Sequence, residues 1–354
     1  MKNVRKKKIV WTVDFCSKDP DFWVKKNDSF QESLIYLTKF FDVHIVALHI
    51  NSNKDCMING VNYHFCLNMN EMIGKVVRIR PDIINMWGFE RPINKMIISH
   101  RRLVNVAKTV YIVGEDTINC RGDFPYCSRV FVSTEGQKRI LERETLYPNK
   151  QIVVASWTAT NIYNFKDYTK QDRYDVIYVS DWKRMKRQHL LLEALNLREF
   201  KYDRICFLGD IRDVRYFNEH KNKIENNSEG GYIEIIHRVP GYAVSNYYHE
   251  SKIAVQLSSS EGGSRVVAEV LSSGVPLIVC NDCQSNVDQV KDGVNGFVVE
   301  PTPMAISKKI KLLLSNKDLR KKVGLRALEM AKKTMSSYSM RVVFEREFKK
   351  IVFE

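Results

Sequence analysis

Several things are scarce or missing in this chain, and each absence narrows what it can be. No apolar run approaches the roughly 20 residues of a membrane-spanning helix. The start, MKNVRKKKIVWTVDF, is basic and then apolar, but its apolar part is short, contains Asp14 and lacks a small-residue cleavage site, so it reads as a first strand rather than a signal peptide. No segment is of low complexity, and no short repeat recurs, which excludes solenoid architectures. The eight histidines show no H-E-x-x-H or other ligand spacing. The cysteines, at 16, 56, 66, 120, 127, 206, 280 and 283, sit mostly within apolar runs and read as buried thiols of a reduced, cytoplasmic protein. Cys280 and Cys283 form a lone C-x-x-C with no second pair, so they read as two incidental thiols at a strand end rather than a zinc site. Asp19-Pro20-Asp21 matches a D-x-D string, but Asp-Pro-Asp is ordinary turn chemistry, and no metal is expected.

Acidic residues are also in short supply. Against 41 Asp/Glu stand 56 Lys/Arg, a net charge of +15, and residues 306–354 alone hold 14 Lys/Arg and 5 Asp/Glu. Such an excess favours polyanions: nucleotide phosphates, anionic lipid surfaces or nucleic acid. Solvated helix faces of a Lys-rich protein are the plainer explanation.

What is present is an alternation of strand-like and helix-like segments. The 354 residues suffice for two domains, each with its own core. KIVWTVDF, DVHIVALHI, PDIINMWG, TVYIVGED, SRVFVS and YPNKQIVVAS read as buried-type strands. Ser29-Phe30-Gln31-Glu32 reads as a capping box, and Phe30, Leu34, Leu37 and Phe41 follow at helical spacing, predicting a helix over about 29–41. After the polar segment around 157–172 the pattern restarts with YDVIYVS, RICFLGD, YIEIIHRV, KIAVQLSS, VPLIVC and GVNGFVVEP. The expected fold is α/β, with two mostly parallel sheets covered on both faces. The tail resumes helical spacing. Phe344, Phe348 and Val352 share one face, with Arg341, Arg346, Lys349 and Lys350 on others, so this helix should dock by its apolar stripe.

Chemistry concentrates in SSSEGGSRVVAEVLSSGVP, residues 258–276. In an open parallel sheet, ligands bind beyond the carboxyl ends of strands, and this loop follows KIAVQLSS. Gly262 and Gly263 let a ligand approach the backbone, and the amides near Ser264–Val266 open a helix whose N-terminus attracts anions. Glu261 is free in the loop. Glu269 lies just over one turn into the helix and can face the same side. Carboxylates suit sugar and ribose hydroxyls because they accept from two donors. From spacing alone, Ser258-x-x-Glu261 is equally a capping box and Glu269 an exposed helix residue.

The string S-x-x-E-G-G-S-R-V-V-A-E followed by V-L-S-S-G-V-P-L-I-V resembles the E-x7-E motif of retaining glycosyltransferases of the family 4 type. The likeness runs from about Ser128 to Pro301, and more weakly over the N-terminal half. SRVFVSTEGQKRIL, YPNKQIVVASWTATNIYNF, YVSDWKRMKRQHLLLEAL, HRVPGYAVSNYYHESKIAVQLSSSEGG and NVDQVKDGVNGFVVEP resemble that family's segments in their usual order.

The resemblance implies the GT-B fold: two Rossmann-like domains with an interdomain cleft. The expected division is 1–160 for the acceptor domain, 161–335 for the donor domain, and 336–354 as a helix packing back on the first. It implies that Glu261 contacts donor-sugar hydroxyls and supports charge at the anomeric carbon, and that Glu269 holds the nucleotide ribose. Gly262, Gly263, Ser264 and Arg265 would line the sugar and diphosphate. Arg238 and Val239 would frame the nucleobase, and Lys186 would neutralise the leaving diphosphate.

Departures from the family pattern are specific. Ser180-Asp181 stands where the family has Gly-Arg, so Lys183 or Arg184 is expected to supply the missing cation, or Lys186 to act with Arg265. EGGS stands for E-G-F-G. The first domain lacks the glycine-rich loop after strand one, and Glu115 and Asp116 stand where a histidine is usual, making them the acceptor-side candidates.

The implied activity is transfer of a sugar from a UDP- or GDP-linked donor, with retention and without a cofactor. The acceptor would be a hydroxyl of a cell-envelope glycan or glycolipid, met at the inner face of a membrane that basic stretches such as Lys75–Arg80 and His100–Arg102 could touch. A modified base of nucleic acid is the alternative acceptor, since a basic cleft also suits DNA. A non-catalytic nucleotide-sugar binding protein is the rival of another class. A nucleotide-sugar epimerase or sugar phosphorylase would share the fold, but the E-x7-E region argues against both.

Overall fold

The computed structural model describes residues 5–13, 29–49, 53–87, 92–112, 127–144, 152–155, 166–225, 231–237 and 239–353. The chain divides into two compact units, Met1–Ala159 with Ser337–Glu354, and Thr160–Ser336.

The first unit holds β1 (Lys8–Val13), α1 (Ser29–Leu37), β2 (Asp42–Leu48), β3 (Asp55–Ile58), β4 (Val61–Cys66), α2 (Met69–Ile79), β5 (Ile83–Trp87), α3 (Pro92–Ser99), α4 (Arg101–Val104), β6 (Lys108–Ile112), β7 (Arg129–Val132), α5 (Glu135–Glu144) and β8 (Ile152–Val154). Its sheet runs in the order β3-β4-β2-β1-β5-β6-β7-β8. The pairs are parallel except β3 with β4, a hairpin turned at Asn59-Gly60 that extends one edge. β1 is apolar at Ile9, Val10, Trp11 and Val13 because both faces are covered. Ile9, Trp11 and Val13 point to one core with Leu34 and Leu37 of α1. Val10 points to the other, with Met72 and Val76 of α2 and Ile93 and Ile97 of α3.

α1 ends at Leu37, four residues short of the expected end. The chain closes with a further turn, Phe41 N donating to Leu37 O at 2.9 Å, and Phe41 still reaches the core. The Ser29 side chain of the expected capping box lies outside the described residues. Glu32 accepts from Arg341.

The last helix belongs to this first unit. Phe344 and Phe348 are buried against Trp11, Phe41 and Phe131, with the Phe344 and Phe131 rings 5.0 Å apart. Its basic residues are tied down locally. Lys349 Nζ lies 2.5 Å from Glu345, while Arg346 and Lys350 sit 2.8 and 3.3 Å from buried Glu347. Four tail cations, Arg341 included, are therefore matched by carboxylates and add little to any attraction for polyanions. Phe348→Ala should cost about 3–5 kcal/mol through the cavity it leaves. Denaturant unfolding of the variant would show this as a lower midpoint with an unchanged slope.

The second unit contains β9 (Tyr174–Val179), α6 (Gln188–Asn196), β10 (Arg204–Leu208), α7 (Val214–Glu225), β11 (Tyr232–Ile236), α8 (Val244–His249), β12 (Ser251–Gln256), α9 (Arg265–Ser273), β13 (Leu277–Cys280), α10 (Gln284–Gln289), β14 (Phe297–Val299), α11 (Pro303–Ser315) and α12 (Lys317–Thr334). The final helix of the chain, α13 (Ser337–Phe353), is the one described above. The second sheet is parallel, in the order β11-β10-β9-β12-β13-β14. From β9 the chain winds outward to β11, then returns to β12 on β9's other side. That reversal leaves a crevice beyond the carboxyl ends of β9 and β12, the usual ligand position in such sheets. α9 is held from behind by α12. A Cβ on Gly324 would lie 2.1 Å from the Gly274 carbonyl, so only glycine permits this approach. Among the described residues no helix is long and apolar enough to cross a membrane.

Candidate functional site

Two loops meet at the switch point. The one after β9 contains a 3-10 turn, Arg184–Lys186, and the one after β12 leads through residues 257–264 into α9. Tyr178 staples them together. Its hydroxyl donates to the Lys186 carbonyl and accepts from Leu257 N at 3.1 Å. Complete burial pushes the Tyr178 phenol well above its ordinary pKa, so the hydroxyl keeps its proton. Ser259 N adds a bond to the Met185 carbonyl at 3.0 Å.

This stapling brings Lys186 and Glu261, 75 residues apart, into direct contact through Nζ and Oε1. Their side chains are 18% and 13% exposed, so the pair is sheltered yet reachable. Gln256 Nε2 reaches the same carboxylate oxygen at 3.1 Å. Among the described residues both of these contacts fall on Oε1, which leaves Oε2 open to a further donor. Gly263, at φ 136°, lets the chain turn sharply, and Ser264 then caps α9 by accepting from Val267 N at 3.4 Å. The amides of Arg265 and Val266, ahead of that bond, precede any acceptor one turn back in the helix, and a helix start of this kind favours anions.

Glu269 lies one turn after exposed Arg265, on the same helical face. Its Oε2 accepts from the Tyr248 hydroxyl at 3.1 Å. Burial pushes its carboxyl pKa up, and the Arg265 charge and the Tyr248 hydrogen bond work against that rise. Its charge is thus poorly compensated by the protein alone, which suits a carboxylate awaiting ligand hydroxyls.

The remaining candidates separate. Arg184 is turned to Glu219 of α7, with its Nη2 2.8 Å from both carboxylate oxygens, and lies 5.3 Å over the Tyr216 ring. Lys183 is exposed. Asp181 pairs with Arg212 at 3.4 Å, and the Ser180 hydroxyl accepts from Gln188 at 2.9 Å, so this departure from the family pattern builds its own contacts. Val239 packs against the core beneath α9. Arg238, Glu115, Asp116 and the Asp19–Asp21 string lie outside the described residues. Cys280 ends β13 and Cys283 precedes α10, both buried; burial pushes the Cys280 thiol to about 12. Sequence reading passed over Tyr178, Tyr248 and Gln256. A glutamine within the apolar run AVQLSS was the available signal for the last.

Two sheets of this kind, one in each unit, define the class of fold: the chain has the GT-B architecture. It is similar to a glycosyltransferase from Rickettsia africae ESF-5 (TM-score 0.77, 18% identity, 99% of each chain). It is also similar to Alr3699/HepE from Anabaena, whose structure contains UDP-glucose (TM-score 0.73, 14% identity, 97% of this chain and 99% of that one). A third similar structure is a sucrose-phosphate synthase from Thermosynechococcus elongatus (TM-score 0.78, 11% identity, 98% of this chain and 99% of that one). Residues 161–330, which include Lys186, Glu261 and Glu269, match the family described as glycosyl transferases group 1. No curated protein matches the chain. The family match and the fold together support a glycosyltransferase.

Proposed function

We propose that the protein is a retaining glycosyltransferase that takes a UDP- or GDP-linked sugar in its second unit. The observation that carries this reading is the Lys186–Glu261 pair, set between the α9 N-terminus and the turn after β9. Glu261 accepts from the donor-sugar hydroxyls through its open oxygen and supports positive charge growing at the anomeric carbon. Lys186 and the first-turn amides of α9 meet the diphosphate as charge builds on it. The bond from the anomeric carbon to phosphate oxygen breaks, and a bond to the acceptor oxygen forms on the same face. The acceptor proton passes to the departing phosphate. Glu261 forms no covalent intermediate, so the carboxylate-separation rule of glycosidases does not apply to Glu261 and Glu269. Incubation with a panel of UDP- and GDP-sugars should show slow donor hydrolysis. No hydrolysis and no thermal shift with any nucleotide would remove the donor site from the account.

Glu269 holds the ribose. Ribose hydroxyls donate to the ionised carboxylate, so binding favours that form, whereas burial in the empty site favours the protonated one. Folding therefore gains from this group at acid pH and loses that gain as pH rises through the raised pKa; ligand affinity runs the other way. UDP-glucose should bind more tightly as pH rises from about 4.5 through the raised Glu269 pKa. Glu269→Gln should bind more weakly and without that pH dependence, as titration calorimetry across the range would measure.

For the acceptor, we propose a hydroxyl of an envelope glycan or glycolipid at an anionic membrane surface. Support comes from α11 and α12, whose Lys308, Lys317, Lys321, Lys322, Lys332 and Lys333 are exposed. Lys75, by contrast, is spent on Asp55 at 2.8 Å. Retention on anionic vesicles, but not on duplex DNA, at ~150 mM salt is the expected result. Retention on DNA alone would shift the acceptor to nucleic acid.

A further inference from the structure

We propose that Gln256 is a positioning residue that sets which oxygen of Glu261 faces the donor sugar, an inference resting on the reading of that site above. Gln256 is the last residue of β12 and is 1% exposed. Its neighbours Ile253, Ala254, Val255 and Leu257 are apolar and equally buried. The carboxamide instead reaches out of the strand. Nε2 lies 3.1 Å from Glu261 Oε1 and 3.4 Å from Ser264 Oγ, the cap of α9, while Oε1 has no partner among the described residues. A buried polar atom left unpaired is costly, so the side chain contributes little to stability for its burial. What it does contribute is geometric.

Lys186 Nζ and Gln256 Nε2 converge on one oxygen of Glu261 from different elements, the turn after β9 and the end of β12. A lysine alone is a rotatable point charge, against which a carboxylate can swing to present either oxygen or both. The second donor, fixed by the strand, removes that freedom. It pins Oε1 and leaves Oε2 as the acceptor turned outward. The same amide ties Glu261 to Ser264, so the sugar-facing carboxylate and the phosphate-facing helix start are held in one frame.

The test uses the full-length protein with UDP-glucose and GDP-mannose as probes. Gln256→Leu should lower kcat for donor hydrolysis by about 10- to 100-fold while KM changes less than about threefold, because Glu269 is untouched and Ser264 keeps its cap to Val267 N. Gln256→Glu should be as poor at neutral pH, where two carboxylates face each other, and should recover relative to the wild type as pH falls and the new carboxyl gains a proton to donate. A merely structural glutamine would not produce that pH profile. Crystals of Gln256→Leu should show the Glu261 carboxylate rotated about its last torsion. Wild-type kcat in Gln256→Leu, or an unmoved Glu261 in its crystals, would overturn the proposal. If the wild type hydrolyses neither sugar, the donor reading fails, and the Glu261 rotamer alone decides whether Gln256 sets it. If Glu261→Ala keeps wild-type activity, it is again the reading of the site that fails, not the geometry of the carboxamide.

Discussion

Glu261→Ala is expected to reduce sugar transfer by about 10³-fold or more, since on the proposed reading it removes a charge that supports the positive charge developing at the anomeric centre. The structure adds a cost that a bare loop position would not carry. Glu261 is the partner of Lys186, and both are sheltered. The alanine variant leaves the ammonium with one contact fewer, a loss of about 1–3 kcal/mol. Glu261→Gln separates the two effects. It keeps the shape and an oxygen for Lys186, so its unfolding midpoint should stay closer to the wild type, while transfer falls nearly as far. Equal activity of Glu261→Gln and the wild type would mean that the carboxylate charge has no part in the chemistry.

Lys186→Met should lower kcat by about 10²–10³-fold, the usual effect of deleting one preorganised group that stabilises a developing anion. The effect should be large because, among the described residues, few cations besides Arg265 stand at the start of α9. Arg184 is engaged with Glu219, and Asp181 with Arg212. Lys183 is exposed and close in sequence, so Lys183→Met is the natural comparison. If the two variants lose equal activity, the cationic role is shared along the turn. The account expects Lys183→Met to stay within about threefold of the wild type, in the range of an exposed charge. Single-turnover hydrolysis of the donor would compare them free of product release.

Much of this fold could be read from local pattern. Strands such as KIVWTV and YDVIYV are buried on both faces and so appear as mainly apolar runs, broken only by Lys8, Thr12 and Asp175, and helices such as α13 carry a stripe at 3.6 spacing. The eight-residue spacing of Glu261 and Glu269 was equally visible, because loop and helix start adjoin in sequence. What could not be read depends on partners far along the chain. Arg184 looks available until Glu219, on the next helix but one, is placed against it. The tail cation Arg341 looks exposed until Glu32, 309 residues away, meets it. Gln256 looks like an edge-of-strand accident until Glu261 folds back over it. Periodicity reports which face is buried but not which charge neutralises which, and the latter decides what remains for a ligand.

The central claim is that one nucleotide sugar lies across the start of α9, with its sugar at Glu261 and its ribose at Glu269. A crystal structure of the Glu261→Gln variant with UDP-glucose or a GDP-sugar tests this most directly. The account predicts the diphosphate on the amides of Ser264–Val266 and beside Lys186, the ribose hydroxyls on Glu269, and the sugar against residue 261. A nucleotide bound elsewhere, or a ribose with no contact to Glu269, would contradict it.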